Sequence, residues 1–246
     1  MVRRIAFIFL FWSWATVVAL ALLPLLVLPR RAMAAAGRGW AAGVMWIARC
    51  AGGLDYRVEG LENLPDGPVI IASKHQSVWD TMVILLVFRD PVAIVKKELM
   101  TIPFYGWYAR KIGVIGIDRG RGSRALRHML AAAEEAVAAG HTLVLFPEGT
   151  RTAPGQRRPY RGGVAMLYER LGLPVVPMAL NSGLFWPRRR FHVRPGCITL
   201  RLLPTIPPGL NRAELMHRLE DSIETATAEL VAAETDGTGR GGGDST

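Results

Sequence analysis

The segment Val69-Ile70-Ile71-Ala72-Ser73-Lys74-His75-Gln76-Ser77-Val78-Trp79-Asp80 joins a β-branched apolar run to a polar turn that carries a histidine and an aspartate. Val69 to Ala72 reads as a buried strand. His75 and Asp80 stand five residues apart, a spacing that on one continuous α-helix would leave them about 140° apart around the axis. If His75 instead lies in the loop after the strand and Asp80 begins the next helix, the two side chains can meet. A carboxylate bonded to one ring nitrogen fixes the imidazole tautomer and makes the other nitrogen a better base. Two roles stay open at this point. Asp80 precedes Thr-Met-Val-Ile-Leu-Leu-Val-Phe and can be an N-cap beside a polar loop histidine, or the pair can take a proton from a hydroxyl.

Outward from this segment the chain alternates between strand and helix patterns. Tyr56 to Glu59, Val92 to Val95, Ile112 to Ile117, Thr142 to Phe146 and Val175 to Leu180 read as strands. Helical spacing covers Thr81 to about Arg89, Ser123 to Ala139, and Val164 to Leu171, the last two stopped by Gly140 and Gly172. Phe191 to Arg194, Pro195-Gly196 and Cys197 to Leu203 read as a hairpin. Asn211 and Glu214 form a capping pair for a last helix with Leu215, Leu219, Ile223, Ala226 and Leu230 on one side. The Gly-rich tail 235–246 is expected to be disordered. The alternation defines an α/β class, with a mixed, largely parallel sheet flanked by helices spanning 55–234. Ligands in such sheets collect at strand ends.

The N-terminal part, 1–54, is expected to be a membrane-embedded helical hairpin. Ile5 to Leu28 is apolar between Arg3-Arg4 and Arg30-Arg31, and as a helix would reach about 36 Å. Trp40 to Leu54 is a second apolar segment, interrupted by Arg49 and suited to the interface. A cleaved signal peptide is the competing reading, with Ala32-Met33-Ala34 as its site. The apolar run is longer than a usual signal core, and an arginine pair follows it.

With 246 residues the chain can bury one sizeable core. The balance of 30 Lys+Arg against 20 Asp+Glu, a net charge of +10, suits a phosphate-bearing partner, whether nucleic acid, anionic membrane or phosphorylated substrate. The two cysteines, Cys50 and Cys197, build neither a disulfide framework nor a metal cluster, and no pair among His128, His141, His192 and His217 has metal-ligand spacing. A Ser-His-Asp hydrolase is disfavoured: Ser77 is two residues from His75, and the chain has no G-x-S-x-G elbow.

Four segments together resemble the glycerolipid acyltransferases, and most closely the bacterial 1-acylglycerol-3-phosphate acyltransferases. They are H-Q-S-V-W-D (His75 to Asp80), G-V-I-G-I-D-R (Gly113 to Arg119), F-P-E-G-T-R (Phe146 to Arg151) and V-P-M-A-L-N (Val176 to Asn181). In the second, Gly116 replaces an aromatic. The resemblance implies transfer of a fatty acyl group to the sn-2 hydroxyl of 1-acylglycerol 3-phosphate, with acyl-CoA or acyl carrier protein as donor and no further cofactor. His75 would be the general base and Asp80 its orienting partner. Arg119 and Arg151 are the leading phosphate ligands. Glu148, Gly149 and Thr150 fall to the acceptor site by the same resemblance, while Lys96, Lys97 and Arg161 are weaker candidates for headgroup or donor phosphates. The implied partners are a lysophospholipid, the acyl donor and a membrane, not nucleic acid, and the implied location is the cytoplasmic face of the inner membrane. Two alternatives stay open: another acceptor such as glycerol 3-phosphate or a lyso-aminolipid, and a noncatalytic protein that binds anionic lipid or nucleic acid.

Overall fold

The computed structural model describes residues 2–118, 122–188 and 192–240. Its strands are β1 Leu54–Glu59, β2 Ile70–Ser73, β3 Val92–Lys96, β4 Ile115–Ile117, β5 Leu143–Leu145, β6 Val175–Leu180 and β7 Gly196–Leu202. They form one sheet in the order β1-β7-β6-β2-β5-β3-β4. Only β6 and β7 pair antiparallel, so β2 to β6 all point one way and β1 and β7 the other. The largely parallel, mixed sheet expected from the alternation is thus present.

Eight helices are described: α1 Val2–Ala21, α2 Arg30–Gly52, α3 Trp79–Val87, α4 Tyr105–Lys111, α5 Gly122–Ala138, α6 Gly163–Leu171, α7 Ser182–Phe185 and α8 Arg212–Arg240. Side chains alternate across each strand, so the sheet builds a core on each face. Ile71, Val144, Val176 and Met178 meet Phe7 and Phe11 of α1, Val44 and Ile47 of α2, and Trp79, Met82 and Val83 of α3. On the other face Ile70, Ala72, Leu143 and Val175 meet Met129 of α5, Val164 and Leu167 of α6, and Leu215, Leu219 and Ile223 of α8. The Asn211 cap forms as expected, its Oδ1 accepting the Glu214 N–H at 2.9 Å.

Several expectations need correction. The apolar run Ile5 to Leu28 is not one helix: α1 stops at Ala21, and Leu23–Val27 is a 3₁₀ turn. Pro24 accounts for the break, because it offers no N–H and its ring would clash with the carbonyl of Leu20. α1 still packs on α2, the Trp14 indole donating to the Trp40 carbonyl at 3.1 Å, and Tyr108 of α4 donates its hydroxyl to the Ala19 carbonyl. Yet α2 is also a core helix, closed by Gly53 in the left-handed region at φ 68°. The proposed strand Ile112 to Ile117 shortens to β4, since α4 runs to Lys111 and Gly113 turns the chain at φ 87°.

Among the described residues no hairpin forms across Pro195-Gly196. The Arg194 N–H is taken by the Phe185 carbonyl at 2.8 Å, and β1 lies beside β7 with Leu54 opposite Gly196. Phe191, in the expected first arm, lies outside the described residues. Thr235 to Arg240 continues α8, where a disordered tail was expected from composition; 241–246 lie outside the described residues.

Gly106, in the aromatic stretch that becomes α4, has no room for a side chain: a Cβ there would collide with the Met100 carbonyl. Gly106→Ala is expected to destabilise the protein by about 1–3 kcal/mol, read as a lowered Tm by circular dichroism. An unchanged Tm would show that the 97–101 turn yields freely.

Candidate active site

Because β2 to β6 are mutually parallel, the segments that follow them emerge on one edge of the sheet. That edge receives Lys74-His75 after β2, Lys96-Lys97 at the end of β3, Asp118 after β4, Phe146 to Arg151 after β5, and Asn181-Ser182 after β6. Three of the four sequence motifs therefore meet through topology, those after the adjacent strands β6, β2 and β5, while the second follows β4 at the far end of the sheet.

Asp80 lies in the first turn of α3, fully buried, and its carboxylate turns back over the loop before the helix. Oδ2 accepts the N–H groups of Gln76 at 2.7 Å and Ser77 at 2.8 Å and lies 2.9 Å from His75 Nδ1. Oδ1 accepts the Ser182 hydroxyl at 2.5 Å. Asp80 is not the N-cap, which is Val78 with no side-chain hydrogen bond; the Ser77 Oγ accepts the Trp79 N–H at 3.2 Å. With the carboxylate fixed as an acceptor, the imidazole donates from Nδ1 and leaves a lone pair on Nε2. Among the described residues Nε2 has no hydrogen-bond partner, and the side chain remains 13% exposed. The ring stacks on Phe146, centroids 3.9 Å apart and planes 21° apart, which holds its orientation.

The F-P-E-G-T-R segment wraps this histidine. Gly149 adopts φ 68° and its N–H returns to the Phe146 carbonyl at 2.9 Å, a turn that a residue with a Cβ would strain. Glu148, expected in the acceptor site, is instead fully buried. Its Oε2 accepts the His75 backbone N–H at 3.1 Å and its Oε1 pairs with Lys74 Nζ at 2.8 Å. Both oxygens are spent inside the protein, which corrects its reading as a substrate ligand. Thr150 and Arg151 are half-buried, and the Thr152 N–H donates to the His75 carbonyl at 2.7 Å. Arg151 is thereby held next to the histidine loop. The Arg161 N–H bonds the Pro147 carbonyl at 2.8 Å, while its side chain is exposed.

Lys96 and Lys97 are exposed and lie on the far side of β5 from His75, paired with Glu98 at 2.9 Å and Asp118 at 3.4 Å. Arg119 lies outside the described residues. The missing aromatic at Gly116 has a local reason, since a Cβ there would press on Met100 Cγ at 3.0 Å.

Sequence reasoning missed Lys74, Ser182, Tyr160 and Glu224. Lys74 Nζ, 1% exposed, also pairs with Glu224 of α8 at 2.6 Å, and the Tyr160 hydroxyl donates to the same Glu224 oxygen at 2.9 Å. Burial first, and the Glu224 charge second, push the Tyr160 phenol far above its ordinary range, so it remains a donor. The only signal in the chain was a lysine placed directly before the motif histidine.

A base-competent histidine on a buried carboxylate, carried at the strand ends of a parallel α/β sheet, defines a transferase or hydrolase class of site. Residues 55–181 match the family model described as Acyltransferase, and the chain belongs to that family. It is 34% identical over 199 residues to the 1-acyl-sn-glycerol-3-phosphate acyltransferase of Pseudomonas aeruginosa, covering 78% of this chain and 77% of that one. The human 1-acyl-sn-glycerol-3-phosphate acyltransferase alpha is 31% identical over 199 residues, covering 78% of this chain and 69% of that protein. Among solved structures, the 1-acyl-sn-glycerophosphate (LPA) acyltransferase PlsC from Thermotoga maritima matches with a TM-score of 0.77 at 26% identity, over 93% of this chain and 96% of that one.

Proposed function

We propose that this protein transfers a fatty acyl group from acyl-CoA or acyl carrier protein to the sn-2 hydroxyl of 1-acylglycerol 3-phosphate, giving phosphatidate. The observation that carries the reading is His75 Nε2, without a hydrogen-bond partner among the described residues, on an imidazole braced by Asp80. Nε2 takes the hydroxyl proton as the substrate oxygen attacks the thioester carbonyl. Collapse of the tetrahedral intermediate breaks the C–S bond, and the imidazolium returns the proton to the departing thiolate. The nucleophile belongs to the substrate, so no acyl-enzyme forms. Ser77 is consistent with this, being buried with its Oγ accepting the Trp79 N–H.

Arg151 binds the acceptor phosphate, together with Arg119. No ion pair engages the Arg151 side chain among the described residues, and its backbone is tied to its surroundings by Arg188, which donates to its carbonyl at 2.8 Å. The bilayer supplies the acceptor. α1 is long and apolar enough to cross a membrane and is mostly unburied, with Val2, Ile5, Phe9, Trp12, Val17 and Leu20 exposed. A water-soluble thioester donor places the catalytic edge on the cytoplasmic side.

The test is a panel on the purified protein in lipid vesicles, offering 1-acylglycerol 3-phosphate, glycerol 3-phosphate and a lyso-aminolipid with each donor. Phosphatidate from the first acceptor is expected; equal turnover on acceptors lacking a phosphomonoester would overturn the assignment. Arg151→Ala should raise the acceptor KM about 10–100-fold, the worth of one charge-assisted contact, with kcat little changed. An unchanged KM would remove Arg151 from the phosphate site.

A further inference from the structure

We infer that Lys74 and Glu224 are positioning residues for catalysis: a buried ammonium, shared between Glu148 and α8, holds the carboxylate that fixes the His75 backbone. The inference rests on the reading of His75 as the base and adds a device that the family match does not contain, since Glu224 lies beyond the matched residues 55–181.

The geometry is a relay of three charged groups drawn from three distant parts of the chain. Lys74 Nζ lies 2.8 Å from Glu148 Oε1, 2.6 Å from Glu224 Oε1 and 3.4 Å from the Gln156 carbonyl. Two carboxylates thus share one internal cation, and each has further donors. Glu224 takes the Tyr160 hydroxyl, and Arg157 Nε reaches within 3.9 Å of its Oε2. Glu148 has the His75 N–H on its second oxygen.

The asymmetry decides what Lys74 is for. Without it, Glu224 keeps Tyr160 and Arg157, whereas Glu148 is left as a buried charge with one amide donor. An uncompensated buried carboxylate must move, take up a proton or draw in water. Movement of the carboxylate releases the His75 N–H, and with it the loop whose amides reach Asp80, while protonation or hydration weakens that bond. Lys74 cannot act on substrate through its ammonium, because all three of its protons face protein acceptors. Its effect therefore belongs to the geometry of the base, where a misplacement of about 1 Å costs on the order of 10²-fold in rate.

The experiment uses the full chain. Lys74→Met is expected to lower kcat about 10²-fold with the acceptor KM within about twofold of wild type. In the same variant, without substrate, the amides of His75, Gln76 and Ser77 should exchange hydrogen about tenfold faster than in wild type, while those of β6 hold. Adding Glu148→Gln to Lys74→Met removes the stranded charge yet keeps an oxygen for the His75 N–H, and should recover about tenfold in kcat. If Lys74→Met does not fold, Glu224→Gln reports the same relay, with about a tenfold loss in kcat and an unchanged KM. A risen KM at constant kcat, unaltered exchange at the three amides, or a double variant no better than the single one would each overturn the inference. Failure of the wild type to make phosphatidate would instead refute the proposed function, and the exchange measurement, which needs no substrate, would still decide the role of Lys74.

Discussion

Replacing His75 with alanine is expected to lower kcat about 10³-fold, within the range that a positioned general base contributes, while the acceptor KM changes little. The split follows from the geometry. Nε2 is the group left to engage the substrate hydroxyl, and phosphate recognition is assigned to arginines on separate segments. The fold should survive the substitution. His75 is partly exposed, its ring rests on Phe146, and the bonds that hold its loop run through backbone atoms: its N–H to Glu148 and its carbonyl from Thr152. Steady-state assays with 1-acylglycerol 3-phosphate vesicles measure the effect. Turnover equal to wild type would take His75 out of the mechanism, and a selective rise in KM would recast it as a binding residue.

The second large effect is on stability. Trp186 is one of the largest fully buried side chains, directly after α7, and two rings of α1 meet its faces and edges. Phe7 lies 5.2 Å away at 84° and Phe11 6.0 Å away at 79°. Trp186→Ala removes the indole and the surface on which α1 docks. The expected cost is about 3–5 kcal/mol, which at this chain length lowers Tm by roughly 10 °C. Thermal unfolding in detergent measures it. A loss below about 1 kcal/mol would mean that α1 is held mainly by its packing on α2.

The central strands β2, β5 and β6 were legible because every residue in them is buried, so short continuous apolar runs such as Ile70 to Ala72 and Leu143 to Leu145 mark them. His75 and Asp80 were legible for a related reason, since a strand followed closely by a helix leaves few ways to place five residues. What escaped reading was set by long-range partners. Lys74 looked like one basic residue among many until α8 arrived with Glu224, 150 residues later. Glu148 looked like a ligand because its motif is polar, and only burial shows both oxygens spent. The strand pairing of β1 with β7 was invisible next to a Pro-Gly turn, which locally favours a hairpin. Position 24 was misjudged for the opposite reason: hydropathy outweighed a proline whose backbone effect is local.

The helix α7 has only four residues, yet it touches both halves of the molecule. Ser182 at its first position holds Asp80, its backbone is closed by the Trp186 N–H on the Ser182 carbonyl at 2.8 Å, and Trp186 carries the phenylalanines of α1. A single turn of helix has no slack to absorb movement. The apolar helix α1 and the Asp80 carboxylate are therefore the two ends of one short strut, and the distance between His75 and α1 is a built-in length rather than an adjustable one.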